Sequence, residues 1–385
     1  MSWSQQSIKS QNKSRILQTI ISDSPISRAS IAKKLKITKG TVSSLASELL
    51  EEEIIIEYGP GSSSGGRRPL MLLFNEKAGF SIGIDLGVNY ILATLINLNG
   101  EVIYEKKQTI TELNKEVILT DVIKIIKETI CSAPQSPYGM IGIGIGVPGI
   151  VSNEGVILLA PNLKWEHVPL KQILEEQFNV PVFVENEANA GAYGEKGFSL
   201  KYPEAADNLV YVSAGMGIGI GIIMNGVLYR GRDGYAGEMG HMKIDLRGRQ
   251  CSCGSKGCWE MYASEKALQL EVDNMGILSE ELSLEKIRKE ADTNKELREV
   301  FKRIGFYLGA GISNILNTFN PQEVVIGNRL AEYKDLLEDV VIESVNRHAL
   351  SFQTENVTIR FSNLTPYSTA LGAGYFTIEK FINEF

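Results

Sequence analysis

An internal repeat constrains the fold of this chain more than any other feature of its sequence. Each copy consists of a strand, a glycine-containing turn, a second strand, an Asn-Gly turn and a third strand. The first copy starts with the strand 81–87 and has its Asn-Gly turn at Asn99-Gly100. The second copy consists, in chain order, of the strand 208–213, the turn 215–221, the strand 222–224, the turn Asn225-Gly226 and the strand 227–229. Helical patterns follow both copies. Two such units predict a duplicated α/β domain with two lobes, and ligands of such domains bind in the cleft between the lobes.

Length and composition indicate the general class of protein. A chain of 385 residues exceeds one average domain, and we expect two domains, residues 1–76 and residues 77–385. The longest apolar runs, such as 140–151, are short and interrupted by glycine, so no segment is expected to cross a membrane. The polar start at 1–13 has no signal-peptide core, which predicts a cytoplasmic location. In that reducing compartment the four cysteines do not indicate a disulfide framework.

The first 76 residues show the pattern of a winged helix-turn-helix. The third of three helical segments begins at Thr38, a good N-cap, and carries an apolar stripe from Val42 to Leu50. The opposite face has small and polar residues suited to a DNA major groove: Lys39, Gly40, Thr41, Ser43, Ser44 and Ser47. Residues 1–47 contain eight Lys or Arg against one acidic residue, whereas the remainder has 31 against 45. This charge favours DNA binding over a three-helix bundle used for protein contacts.

A hairpin wing follows the third helix. Two β-rich runs, 54–58 and 70–74, flank a glycine- and serine-rich stretch. Arg67 and Arg68 lie in that stretch, and adjacent arginines on a flexible arm suit the narrow minor groove of A·T-rich DNA. The alternative is a flexible linker with incidental charge.

One histidine and three cysteines are clustered after the second copy of the repeat: His241, Cys251, Cys253 and Cys258. Their spacing on glycine-rich loops supplies four ligands for tetrahedral zinc. Because four protein ligands leave no open coordination position, we expect a structural rather than a catalytic Zn²⁺. Free thiols are the alternative. The remaining cysteine, Cys131, is expected to be a small apolar residue of a helix.

A polar cluster, Glu185-Asn186-Glu187-Ala188-Asn189-Ala190, follows the predicted strand 180–184. Carboxylates and amides at the end of a strand beside a cleft suit a ligand rich in hydroxyl groups. The alternative is a charged helix start, because acidic side chains also favour a helix N-terminus. The glycine turns of the repeat are equally open to two interpretations, as phosphate cradles or as tightly packed turns.

Taken together, these segments resemble the ROK family, whose repressors and sugar kinases share an actin/hexokinase-like fold. The resemblance covers nearly the whole second domain and rests on five segments: Asp85-x-Gly87, Gly142–Gly149, Glu185–Ala190, Glu238–His241 and the CxCGxxGCxE run from Cys251 to Glu260. The N-terminal winged helix is similar to that of the family's repressors. The SSGGRRP and ENEANAGAYGE segments resemble in particular the repressors of xylose operons.

The resemblance implies roles for individual residues. The implied sugar site consists of Asn186, Glu187, Glu238, His241 and Glu260, with His241 placing one ring nitrogen on zinc and the other on the sugar. Cys251, Cys253 and Cys258 complete the implied zinc site. The implied effector is D-xylose. Operator DNA and a second copy of the chain, in a homodimer or a dimer of dimers, are the implied macromolecular partners.

Three departures from the family's kinases argue against phosphoryl transfer. Glu187 replaces the aspartate that serves those kinases as general base, which moves the carboxylate by one methylene. The first phosphate turn reads Gly87-Val88-Asn89 in place of Gly-Gly-Thr, and Asn328 follows Gly327 where the kinases have another glycine. We therefore expect a sugar-released repressor that is not an enzyme. An active or bifunctional sugar kinase, and a repressor that uses its fold only for dimerisation, are the alternatives.

Overall fold

The computed structural model describes residues 5–60, 70–199, 206–276 and 284–385. It contains a winged helix-turn-helix followed by a two-lobed α/β domain, so the predicted fold class is confirmed. Within the described ranges, no helix combines the length and the apolar character that a membrane span requires.

The winged helix-turn-helix has three helices and a three-stranded sheet of order β1-β3-β2. Its elements are α1 (Gln5–Asp23), β1 (Ile26–Ser27), α2 (Arg28–Leu35), α3 (Lys39–Glu51), β2 (Ile55–Pro60) and β3 (Leu70–Phe74). The predicted cap of α3 is confirmed, because the Thr38 hydroxyl accepts a hydrogen bond from the Thr41 amide at 3.1 Å. Val42, Leu45, Ala46 and Leu49 of its apolar stripe are buried. The wing is the antiparallel pair β2–β3.

The first lobe is built on a five-stranded sheet of order β11-β7-β4-β5-β6. Its strands are β4 (Phe80–Leu86), β5 (Tyr90–Asn97), β6 (Val102–Thr109), β7 (Met140–Val147) and β11 (Val182–Asn186). The lobe also contains a small sheet, β8 (Ile150–Val151), β9 (Ile157–Ala160) and β10 (Trp165–Val168), and the helices α4 (Lys115–Cys131) and α5 (Leu170–Phe178). The helix α6 (Glu187–Ser199) follows β11 and packs on the sheet of the second lobe.

The second lobe repeats this arrangement with the sheet order β14-β13-β12-β15-β16. Its strands are β12 (Leu209–Ala214), β13 (Ile218–Met224), β14 (Val227–Leu228), β15 (Glu323–Gly327) and β16 (Thr358–Phe361). Its helices are α7 (Glu260–Ala263), α8 (Glu265–Met275), α9 (Leu284–Ala291), α10 (Lys295–Phe319), α11 (Lys334–His348) and α12 (Ser351–Thr354), and α13 (Ser368–Asn383) follows. In both lobes the first strand pairs antiparallel with the second and parallel with the fourth, so the predicted duplication is confirmed.

The predicted turn at 215–221 is wrong in its second half. The turn comprises only residues 215–217, and β13 begins at Ile218. Gly219 and Gly221 are strand residues because α6 packs closely on them: a Cβ at Gly221 would lie 2.2 Å from the Ala188 carbonyl oxygen. These glycines therefore serve helix–sheet packing rather than a turn.

The helix α13 is packed against both the first-lobe sheet and α6 without intervening side chains. A Cβ at Gly83 of β4 would lie 1.8 Å from the Ala370 carbonyl oxygen, and one at Gly144 of β7 would lie 1.8 Å from that of Ala373. In the same way, a Cβ at Gly372 would lie 1.8 Å from the Ala190 carbonyl oxygen of α6. The backbones of β4, β7, α6 and α13 are therefore in direct contact.

The core of the winged helix-turn-helix continues into the second domain. Ile16, Leu17 and Leu49 belong to the same buried cluster as Ile378 and Ile382 of α13. The winged helix-turn-helix is thus joined to the α/β domain by an apolar interface in addition to the chain connection.

Candidate functional site

A cavity of about 630 Å³ lies between the lobes, at the ends of the strands of both sheets. All five residues of the predicted sugar site line it: Asn186, Glu187, Glu238, His241 and Glu260. Val88, Asn89 and Asn328 line it too. The structure therefore brings the predicted sugar residues and the altered glycine turns together in one cleft.

Asn186 is held rigidly at the start of α6. Its Oδ1 accepts hydrogen bonds from the amides of Ala188 at 2.8 Å and Asn189 at 3.3 Å, and its Nδ2 donates to the Gly149 carbonyl at 2.9 Å. An amide nitrogen has two hydrogens, so one donor of Asn186 is left over for a ligand. Its neighbour Glu185 is committed to structure, since its Oε2 forms an ion pair with Arg230 at 2.7 Å.

Glu187 lines the cleft and interacts electrostatically with the buried carboxyl group of Asp85. Burial raises the pKa of Glu187 to about 8, and the nearby Asp85 carboxylate raises the pKa as well. The Ser213 hydroxyl, 3.4 Å from Glu187 Oε1, lowers the pKa and so opposes both effects. Burial also raises the pKa of Asp85 to about 6, against the effect of the Tyr90 hydroxyl, which donates to Oδ2 at 2.6 Å. At neutral pH, Glu187 is therefore protonated and able to donate a hydrogen bond as well as to accept one.

The opposite wall of the cleft carries Glu238, His241 and Glu260. The His241 Nε2 atom lies 3.7 Å from Glu238 Oε2, and its Nδ1 atom lies 3.5 Å from Glu260 Oε1. Burial raises the pKa of Glu238, and His241 opposes this effect. Carboxylates on both walls give the cleft acceptors and donors for several hydroxyl groups of one ligand.

The four predicted metal ligands converge behind this wall. One ligand atom from each of His241, Cys251, Cys253 and Cys258 lies within 4.8 Å of all the others. Cys251 Sγ is 3.7 Å from His241 Nδ1, and Cys253 Sγ is 3.6 Å from Cys258 Sγ. Zinc–sulfur bonds of about 2.3 Å in a tetrahedron require ligand atoms roughly 3.5–3.8 Å apart. The donor set and its spacing thus fit a zinc ion.

Comparison with known proteins agrees with this architecture. The sequence profile described as "ROK family" matches residues 81–380, and a profile described as winged helix-turn-helix DNA-binding matches residues 9–56. The chain belongs to the ROK family. The resemblance predicted from the sequence motifs is confirmed.

Individual relatives include both repressors and kinases. The chain is 43% identical to the xylose repressor of Bacillus subtilis over 98% of its own length and 97% of that protein. A solved ROK family transcriptional regulator, a homologue of the Escherichia coli MLC protein, superimposes on this chain with a TM-score of 0.81 and 28% sequence identity. The match covers 98% of this chain and 100% of that protein. A ROK family glucokinase from Streptomyces griseus, solved with glucose and AMPPNP, has a TM-score of 0.68 and 28% identity and covers 77% of this chain and 99% of its own.

Tyr90 is a cleft residue of this ROK protein that the sequence interpretation missed. Its ring packs on the turn that follows β4, where a Cβ at Gly87 would lie 2.5 Å from it, and its hydroxyl is bonded to Asp85. On the other lobe, Asn328 Nδ2 donates to the Ser213 hydroxyl at 2.9 Å. A side chain therefore packs against one glycine of each turn, Tyr90 against Gly87 and Asn328 against Gly215. An aromatic residue directly after the turn was the sequence feature that could have pointed to Tyr90.

The predicted DNA-contacting residues of α3 are on one side of the winged helix-turn-helix. Lys39, Gly40, Ser43, Ser44 and Ser47 are exposed, and Thr41 is half-buried, with its hydroxyl 2.9 Å from that of Thr38. Arg67 and Arg68 lie outside the described residues, so their predicted role stays a prediction.

Proposed function

We propose that this ROK protein is a transcriptional repressor that D-xylose releases from its operator. One observation carries the proposal: a winged helix-turn-helix whose third helix has an exposed polar face is fused to a domain with a cleft lined by the carboxyl, amide and imidazole groups of the five predicted sugar residues. The similarity to the xylose repressor of Bacillus subtilis supports the pentose as effector. Hydroxyl groups match the cleft's mixture of carboxyl, amide and imidazole groups.

Sugar-dependent release is tested by DNA-binding measurements. An operator is first selected from a random pool of duplexes, and its affinity is then measured with and without millimolar D-xylose, L-arabinose, D-ribose and D-glucose. We expect D-xylose to weaken operator binding most. Glu260→Gln should reduce the change in operator affinity that D-xylose causes, whereas the control Glu112→Gln, at an exposed site, should leave that change as it is in the wild type. If none of the sugars changes the affinity, the protein uses its fold as a scaffold and the effector proposal fails.

The cluster of His241 and three cysteines is proposed to hold a structural zinc ion. When bound, the ion neutralises thiolate charge and fixes the loops that carry Cys251, Cys253 and Cys258. His241 Nδ1 lies 3.7 Å from Cys251 Sγ, whereas Nε2 lies 3.7 Å from Oε2 of Glu238, a residue that lines the cleft. Such an arrangement fixes the tautomer and the direction of the ring, so that the second nitrogen is oriented toward the sugar.

We further propose that the protein is not a kinase. Glu187 is the residue at the general-base position, and its carboxyl group is one methylene further from the backbone than that of the kinases' aspartate, whereas proton abstraction requires placement within hydrogen-bond reach. The Tyr90 hydroxyl occupies one oxygen of Asp85, and Val88, Asn89 and Asn328 replace the small residues of a phosphate site. The side chains of Val88, Asn89 and Asn328 thus line the cavity at positions where a polyphosphate site would present bare backbone amides.

The remaining proposals concern domains and assembly. Residues 1–76 form the DNA-binding domain and residues 77–385 the sugar-sensing domain. A homodimer, or a dimer of dimers, binds the operator, because paired recognition helices contact half-sites one helical turn apart. Sugar binding closes the cleft and thereby changes the relative orientation of the two recognition helices.

A further inference from the structure

The helix α13 runs from an element that lines the cleft toward the winged helix-turn-helix. At its start, the Thr369 hydroxyl of α13 donates a hydrogen bond to the backbone carbonyl of Glu187, at 3.2 Å. At its other end, the rings of Phe381 and Phe385 lie 5.0 and 5.8 Å from that of Tyr138, both in edge-to-face geometry. A helix of 16 residues is about 24 Å long. The helix α13 therefore extends from the backbone of the cleft residue Glu187 to the aromatic cluster beside the winged helix-turn-helix.

The aromatic end of this path is attached to α3. The Tyr138 hydroxyl donates a hydrogen bond to the backbone carbonyl of Glu52, the C-cap residue of α3, at 2.7 Å. The Glu52 carboxylate forms an ion pair with Lys13 of α1 at 2.6 Å, and the Lys13 ammonium lies 5.5 Å from the centre of the Phe385 ring. We call these five residues, Lys13, Glu52, Tyr138, Phe381 and Phe385, the Tyr138 node. It joins α1 and the end of α3 to the sensing domain.

The middle of α13 is packed directly on the backbones of its neighbours. Direct backbone contacts at Gly83, Gly144 and Gly372 hold α13 on β4, β7 and α6. The helix α6 begins at Glu187 in the cleft, so a displacement of α6 has to move α13 with it. Closely packed elements transmit such shifts because their interfaces have few alternative arrangements.

We propose that Tyr138 and Phe385 are positioning residues that transmit sugar binding to the recognition helix. This inference rests on the proposed function as a sugar-released repressor. Closure of the cleft moves α6 and α13 together, and the Tyr138 node passes the movement to the C-terminal end of α3. The node is not needed for sugar binding, because it lies at the opposite end of α13 from the cleft.

The experiment compares Tyr138→Phe and Phe385→Leu with the wild-type full-length protein. Tyr138→Phe removes only the hydrogen bond to Glu52, and Phe385→Leu removes the aromatic ring but keeps an apolar side chain. Tyr104→Phe is the matched control, because Tyr104 packs on the core of the first lobe. Three quantities are measured: D-xylose affinity without DNA, operator affinity without sugar, and the factor by which saturating D-xylose weakens operator binding.

For the wild type and Tyr104→Phe we expect a factor of about 10 or more, within the usual range of allosteric coupling. Both node variants should bind D-xylose as the wild type does, and their factor should fall at least threefold. A purely structural role would lower the operator affinity and the melting temperature but leave the factor unchanged, which would overturn the inference. If D-xylose fails to release even the wild type, the proposed function fails and this inference fails with it.

Discussion

Replacing Glu187 by glutamine should remove a pH dependence of stability from the sugar-free protein. The pKa of Glu187 is raised from 4.5 to about 8 in the folded state. Between these values the folded protein holds a proton that the unfolded chain releases, so the free energy of unfolding falls as the pH rises. The slope for one proton is about 1.4 kcal/mol per pH unit. Glutamine has nearly the same shape but no proton to lose, and this contribution to the slope disappears.

The interval from pH 6.5 to 7.5 isolates this effect, because the pKa of Asp85 is about 6. In calorimetry of the sugar-free protein, the melting temperature of the wild type should fall by about 2–3 °C more than that of Glu187→Gln across this interval. The reason is that 1 kcal/mol shifts the melting temperature of a domain this large by roughly 2 °C. The difference should level off above pH 8. Glu112→Gln, at an exposed site, should follow the wild type. Parallel curves for the wild type and Glu187→Gln would show that Glu187 is already ionised when folded.

Three further predictions concern the metal, the chemistry and the wing. Metal analysis should find about one zinc per chain in the wild type and none in Cys253→Ser, whose response to sugar should weaken more than its operator affinity; a metal-free variant with unchanged sugar affinity would contradict the role given to His241. A coupled assay of ADP release with xylose or glucose should stay at background, and turnover near the enzyme median of about 10 per second would establish a kinase. Arg67→Ala and Arg68→Ala should reduce the preference of the protein for operators with A·T-rich flanks. If the operator affinity instead falls equally for all flanking sequences, and the slope of log affinity against log salt concentration falls by about one per lost contact, the two arginines contact phosphates.

Local patterns in the sequence were sufficient for a large part of this structure. The Thr38 cap, the Asn-Gly hairpins and the spacing of the three cysteines each depend on a few neighbouring residues. The glycines at 219 and 221 misled the prediction, because a glycine that accommodates another backbone resembles a turn glycine in sequence.

Contacts between distant parts of the chain were not predictable in the same way. Tyr138 and Glu52 are 86 residues apart, and Thr369 and Glu187 are 182 residues apart. Each hydrogen bond depends on how whole elements are packed, which no short pattern records. The Tyr90–Asp85 contact is closer in sequence, yet it forms because the chain reverses between β4 and β5 and brings the ring back over the turn.

The close approach of α13 to its neighbours also sets limits on how such a sensor can diversify. At Gly83, Gly144 and Gly372 even a methyl group would overlap a carbonyl oxygen, so variants at these positions should be lost from any library selected for folding. Some cleft positions are less restricted: Asn89 and Glu238 line the cavity and are exposed. A laboratory that wishes to retune the protein to a different small molecule can therefore vary such positions first and keep the three glycines, together with Asn186, which supports the start of α6, and the proposed zinc ligand His241.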